Sequence, residues 1–409
     1  YVSDYQDQPN SMIIRGGSWS LGILNPGSDV RRDYTPDETD DDTGFRIGGA
    51  QSTVTATAAP TGTPPASPTT TAPTSTPSGA SPSAPIAAIP GARTISMVRV
   101  GNPNNLKDPG TGFGSVADEF SISTYETTVG EYVTFLNTVA TSPTAPDYIQ
   151  ALYQSAMAGG EKTGALITQT LNAGAYVYAA SSDPVGDFSG KTRADLPVAF
   201  VNWFAAARYA NWMSNGGTAD ANTETGAYTL NGAMTGVFLK QDGARYWLPS
   251  EDEWYKAAYY DPTKNGSGGY WTYATQSDTL PNYDTTGTNS ANYDDERPRN
   301  FKLTPVGTYV NSNSYYGTYD MTGNLWEWND GVVLAPTSDQ PGQDQPDARI
   351  IRGGSWSQGL IAVANYTRRD YPDGYQLYDP QTGAPVYLYY TDDDTGFRLA
   401  GLAEFGTAS

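Results

Sequence analysis

Of 409 residues, 44 are acidic and 23 basic, a formal charge of −21, and there is neither cysteine nor histidine. Such a surface repels phosphate backbones and anionic membranes. The missing thiols and imidazoles exclude disulfides, thiol or Ser-His-Asp catalysis, and zinc, copper, haem or iron held by ordinary protein ligands. No stretch reaches the roughly 18 consecutive apolar residues of a membrane helix, so neither a nucleic-acid partner nor a membrane span is expected. Apolar residues make up 38% and aromatic ones 12%, with 30 Tyr and 9 Trp; rings with a polar edge suit a loop-rich core.

The chain opens at Tyr1, as a processed, exported protein would and as a trimmed chain would too; the expected location is extracellular or the cell surface. Residues 1–50 repeat material found at the other end. IIRGGSWS stands at Ile13–Ser20 and at Ile350–Ser357, RRDY at Arg31–Tyr34 and at Arg368–Tyr371, DDTGFR at Asp41–Arg46 and at Asp393–Arg398. The first two blocks keep one spacing, and the third is displaced by an insertion around Tyr375–Tyr390. Three matched blocks in one order read as an internal duplication. Residues 51–93 are a Pro/Thr/Ser/Ala-rich linker, without charge from Gln51 to Pro90. Such a stretch builds no core and favours an extended, semi-stiff spacer, reaching about 120 Å at roughly 3 Å per residue. Its hydroxyls are candidate O-glycan sites.

A long segment, 94–409, follows. ISMVRV (Ile95–Val100) alternates like a strand, and FSISTYETT (Phe120–Thr128) reads as a strand running into a helix. Thr128 and Glu131 form a capping-box pair, with Val129, Tyr132, Val133, Leu136 and Val139 on one helical face. A second helix is predicted over Trp203–Met213. A third follows Ser250, which forms a second capping box with Glu253. Asp261–Thr318 is rich in Gly, Asn, Asp, Thr and Tyr and is expected to be loop, which calls for internal anchors.

PVAFVNWFAAARYANWM (Pro197–Met213), YWLPSEDEWYKAA (Tyr246–Ala258), MTGNLWEW (Met321–Trp328), RGGSW (Arg352–Trp356) and TGFRLA (Thr395–Ala400) occur in this order. The segment from about 94 to 402 thereby resembles the formylglycine-generating enzyme or sulfatase-modifying-factor family. The resemblance implies an α+β, loop-rich, C-type-lectin-related fold. Physical reasons for the motifs stand beside it. The glycine pair of RGGSW lets a ring or strand approach the backbone, Trp356 fills the space, and Arg352 can reach a carboxylate. Trp326 and Trp328 flank Glu327, so in an extended stretch both rings face one side, as core.

The activities of that family are not expected to transfer. Its copper-using enzymes need a cysteine pair after RGGSW, where this chain reads SQGLIAVANYTRR (Ser357–Arg369); its iron-dependent sulfoxide synthases need histidines. No catalytic residue is assigned, although two carboxylates can suffice for a hydrolase. The resemblance also implies structural calcium, held by Asn324 and Glu327 beside the tryptophan motif and, by a looser mapping, by Asn292 and Asp294; carboxylate and amide oxygens are suitable hard donors. Asn324 as a turn cap and Glu327 as an arginine partner is the plainer alternative. The acidic run Asp392–Asp394 is read as solvated loop. Two Asn-x-Ser/Thr sequons occur, at Asn265 and Asn365.

The duplicate is the main clue to function, since fifty residues bury too little to stand alone. It can brace its own domain, dock on the next subunit, or serve as a partner-binding tag. Docking head to tail does not close on itself and builds a filament. The expected function is therefore an extracellular, non-enzymatic structural protein that forms a homo-oligomer or filament through residues 1–50. The alternative is a calcium-dependent adhesin or glycan-binding protein.

Overall fold

The computed structural model describes residues 12–15, 31–34, 89–159, 163–186, 188–293, 303–333, 348–359, 362–371, 375–378, 385–388 and 392–407. The chain divides into two units, Tyr1–Ala84 and Pro85–Ser409. In the first, β1 (Met12–Arg15) pairs antiparallel with β2 (Arg31–Tyr34), Met12 opposite Tyr34 and Ile13 opposite Asp33.

The second unit starts earlier than composition suggests. Its boundary, expected at residue 94, moves forward because Arg93 donates its backbone N–H to Gly216 at 2.8 Å and lies 5.5 Å from the Trp212 ring centre. Then β3 (Met97–Val100) pairs with β4 (Phe120–Ser123), as the alternation of apolar residues predicts. Both capping boxes form. The Thr128 hydroxyl accepts from Glu131 N at 3.2 Å, while the Glu131 carboxylate accepts from Thr128 N at 2.8 Å, and this opens α1 (Val129–Val139). Its buried face is Val129, Tyr132, Phe135 and Leu136; Val133 and Val139 are only half-buried, and Phe135 takes their place.

A one-turn helix α2 (Asp147–Gln150) leads to a hairpin of β5 (Ile167–Asn172) and β6 (Ala175–Ala180). Next comes α3 (Trp203–Ser214), capped by Asn202, whose Oδ1 accepts from Ala205 N at 2.8 Å. Every residue of α3 is buried. A helix buried on all sides belongs inside a domain, and its rings meet those of α1: Tyr209 with Phe135 at 5.3 Å and Trp212 with Phe135 at 5.2 Å.

β7 (Tyr246–Trp247) precedes α4 (Glu251–Tyr259), which starts in the Ser250–Glu253 box. Among its described residues the predicted loop region holds one two-residue strand pair, β8 (Tyr260–Asp261) with β9 (Gly269–Tyr270). Its anchors are side chains bonded to backbone. Tyr293 donates to Pro281 O at 2.6 Å, and the Asn282 amide donates to Asn289 O at 2.9 Å.

The rest of the chain closes the domain. β10 (Trp326–Val332), β11 (Arg349–Arg352) and β12 (Arg369–Tyr371) are followed by a hairpin of β13 (Tyr375–Tyr378) and β14 (Pro385–Leu388), then β15 (Thr395–Phe397) and β16 (Ala400–Gly401). One four-stranded sheet runs β12-β11-β10-β15, the other β3-β4-β16-β7. The closing segment thus supplies three strands to the first sheet and, through β16 between β4 and β7, one to the second. The architecture is α+β, with the core between the sheets and α3.

Candidate functional site

β10 lies between β11 and β15, with Glu327 opposite Arg352 on one side and Gly396 on the other. Alternation sends the rings of Trp326 and Trp328 to one face, 0% and 1% exposed, and Glu327 to the other. Trp328 donates to Val201 O at 2.7 Å, which fixes the ring in the core.

Glu327 is wholly buried and meets a wholly buried Arg398. Arg398 donates through Nε to one carboxylate oxygen and through a terminal nitrogen to the other, both at 2.6 Å. Trp254 Nε1 adds a third bond at 2.7 Å. The remaining guanidinium hydrogens go to the carbonyls of Tyr319 at 2.8 Å and Ser123 at 3.1 Å. A charge pair without water is tolerated when its hydrogen-bonding capacity is used in this way.

Two further carboxyls crowd this pair. Glu126 accepts from Leu325 N at 3.0 Å and from Asn324 Nδ2 at 2.7 Å. Asp320 accepts from Gly307 N at 2.6 Å. Burial, with Asp320 and Glu327 adding, raises the Glu126 carboxyl well above the usual carboxylate range. Burial lifts Asp320 to about 6, against the pull of the Gly307 N–H and Arg398. Three acidic groups thus face one guanidinium, and the cluster holds protons at a pH where free carboxylates are ionised.

Asn324 sits at φ 64 after Gly323 at φ 81. A side chain on Gly323 would come within 2.1 Å of Asn292 O, so only glycine admits this turn. The Asn324 carbonyl oxygen accepts from Asn292 Nδ2 and from Thr304 N, each at 3.1 Å. Asn292 lies against Asn324, although the calcium reading assigns them to two separate sites, and Asp294 lies outside the described residues. In this arrangement, however, Glu327 has an arginine where that reading needs a cation. The amide oxygen of Asn324 is likewise engaged, so these two residues as placed do not fit a calcium ion.

At RGGSW, both glycines are in close contact. A Cβ on Gly353 would meet the Trp254 ring at 3.2 Å, and one on Gly354 would meet Ala362 O at 2.7 Å. The carboxylate that Arg352 reaches is Glu251, the first residue of α4, where the helix end favours an acid. One Glu251 oxygen accepts from Arg352 Nε and from Arg368 Nε, each at 2.9 Å. Ser355 and Ser357 both donate to Asp394 Oδ2 at 2.6 Å, and Trp356 Nε1 donates to Asp393 O at 3.3 Å. Among the described residues one group of three carboxylates could share a cation, Asp392–Asp394, with oxygens within 4.8 Å of one another. It is half-buried and bonded into the fold rather than a freely solvated loop, as the two serines on Asp394 show.

Asn365 donates to Trp271 O at 3.1 Å, so the amide of this sequon is engaged, whereas Asn265 is exposed in a left-handed turn at φ 55. Sequence reasoning missed Glu126, Asp320 and Glu251 as partners. A signal existed for Glu251, as an acid at a capped helix start, and for Arg398, as the cation inside TGFR.

Residues 106–402 match the model of the sulfatase-modifying factor enzyme 1-like domain. Hercynine oxygenase of Mycobacterium tuberculosis is 27% identical over 199 residues, covering 45% of this chain and 36% of the relative. Inactive C-alpha-formylglycine-generating enzyme 2 of Mus musculus is 29% identical over 188 residues, covering 46% of each. The chain thus spans less than half the length of these relatives. The solved structure of CarF aligns with a TM-score of 0.41 at 18% identity, over 75% of this chain and 98% of that one. With the family match running over most of its length, the chain belongs to the sulfatase-modifying factor enzyme 1-like family.

Proposed function

We propose that the chain is a non-redox, structural member of this family, exported and assembled head to tail by lending residues 1–50 to a neighbouring copy. The complete lack of cysteine and histidine supports the non-redox part. One observation carries the assembly part. β1 and β2 are the sequence counterparts of β11 and β12, and the two pairs share one register. Ile13 stands opposite Asp33 as Ile350 does opposite Asp370, and Ile14 opposite Arg32 as Ile351 does opposite Arg369. β11 has β10 on its second edge, while β1 has no second neighbour among the described residues. The copy thus carries an edge whose sequence fits a Trp-Glu-Trp strand. In sequence, Arg15 and Arg46 stand where Arg352 and Arg398 meet Glu251 and Glu327. Exchange of one closing segment for another keeps the arginine, serine and aspartate contacts, the condition under which swapping costs little. Residues 51–93 serve as the tether.

Val332 lies opposite Arg349, whose counterpart is Met12. Because the chain has no cysteine, a Met12→Cys chain mixed with a Val332→Cys chain should give a disulfide-linked dimer on mild oxidation. If the doubly substituted chain closes only within itself, residues 1–50 are a brace and the assembly reading falls. If no disulfide forms in either format, it falls as well.

For calcium, the proposal narrows to Asn292 with Asp294, since Glu327 is committed to Arg398. Calorimetric titration of the full chain with calcium should show a heat of binding that Asn292→Ala removes. A wild-type chain that gives no heat ends the calcium reading.

A further inference from the structure

The hairpin of β5 and β6 is closed along β6 and, past Ile167, whose carbonyl accepts from the Tyr153 hydroxyl at 3.3 Å, open along β5. Ala173 at φ 48 and Gly174 at φ 84 make the two-residue left-handed turn that suits strand twist. On the β6 side, Asn137 of α1 donates to Tyr178 O at 2.8 Å and accepts from Tyr178 N at 2.9 Å, and Tyr176 N donates to Thr141 O at 2.7 Å. The backbone groups of Tyr176 and Tyr178 therefore point away from β5. In an antiparallel pair the residues opposite them must point the other way, and these are Leu171 and Gln169. No backbone hydrogen bond among the described residues reaches Gln169 or Leu171 on that outer side.

Edges of this type are normally guarded by a charge, a proline or a bulge. β5 reads ITQTLN and has none of these. From Thr163 to Ser182 no residue is charged, in a chain of formal charge −21, and Leu171 is 64% exposed. Two copies of so acidic a protein repel each other, so a charge-free strand is where close approach costs least.

We infer that β5 pairs antiparallel with β5 of a second copy about a twofold axis at Gln169, making one four-stranded sheet across two molecules. Gln169 then stands opposite its own equivalent, and Leu171 leaves solvent opposite the partner's Ile167, a residue whose outer carbonyl also accepts from Tyr153 of its own chain at 3.3 Å. The contact is isologous, and it does not use residues 1–50.

Sedimentation equilibrium of the full chain tests it with two variants. Gln169→Pro removes an N–H that the hairpin itself does not use, and Leu171→Lys puts a charge on the edge. Each should weaken dimerisation by at least about tenfold with an unchanged melting temperature, while deletion of residues 1–50 leaves the dimer in place. A wild-type chain monomeric at every concentration reached overturns the inference. So does a dimer that both variants retain, or one that disappears with residues 1–50; the last result would still uphold assembly through that segment.

Discussion

Arg398→Met is expected to destabilise the main domain by about 3–5 kcal/mol, a fall in melting temperature on the order of 10 °C. Methionine fills much of the same volume, so the loss comes from charge. Glu327 would be left wholly buried with only the Trp254 N–H, beside two further carboxyls that already resist ionisation. The carbonyls of Tyr319 and Ser123 would lose their donor as well. Adding Glu327→Gln to Arg398→Met removes the uncompensated charge, and the double variant should be more stable than Arg398→Met alone. Thermal melts of the four chains of this cycle measure it. Equal destabilisation by the double and the single substitution would show that Arg398 acts through packing and not through its carboxylate.

The same pair is one of the ionic ties on the closing segment. The segment is tied at its start by Arg352 on Glu251 and at its end by Arg398 on Glu327. Between these ties the Ser355 and Ser357 hydroxyls bond Asp394 within the segment itself. Both arginines, both serines and the aspartate recur in the N-terminal copy as Arg15, Arg46, Ser18, Ser20 and Asp42. The polar ties of the closing segment are thus repeated in the sequence of the N-terminal copy.

Much of this was legible in the sequence because it is local. Both capping boxes, the α3 span and the core role of Trp326 and Trp328 depend on residues within one turn or one strand of each other. The TGFR arginine and the WEW glutamate were each marked as motif residues, but their pairing was not. It is set by the parallel β10–β15 contact, which spacing along the chain does not reveal. Glu126 and Asp320 were harder, since each is one acid in a polar stretch until folding strips it of water. The β5–β6 hairpin was missed for another reason. Its strands alternate threonine, alanine and tyrosine, a pattern with too little contrast between apolar and polar faces to announce a half-buried strand.

Buried acids also set how stability responds to pH. Burial pushes the Asp330 carboxyl up to about 7, against Arg349 at 3.7 Å and with Glu253 adding; Asp320 is lifted to about 6. In both, the folded protein prefers the neutral acid. The stability they contribute is fully present below the ordinary value of 3.8 and is lost as pH rises through about 6 and then about 7. A shift of this size in one nearly buried group is worth at most about 4 kcal/mol. Lys256, lowered to about 8 by burial, works the other way. Its contribution is present above the ordinary lysine value and already lost by pH 7, so it adds little slope below that. Asp195 and Asp278, held low chiefly by hydrogen bonds that overcome burial, matter only as pH falls below 4. The melting temperature should therefore be higher at pH 5 than at pH 8, with the steepest fall between about 4 and 6, where both acids keep their protons only in the folded protein, and little further change above 7. Asp330→Asn should flatten that fall while leaving the low-pH side unchanged. A profile that rises toward pH 8, or one that the substitution leaves equally steep, would mean that Asp330 is ionised beside Arg349 and that their attraction outweighs burial.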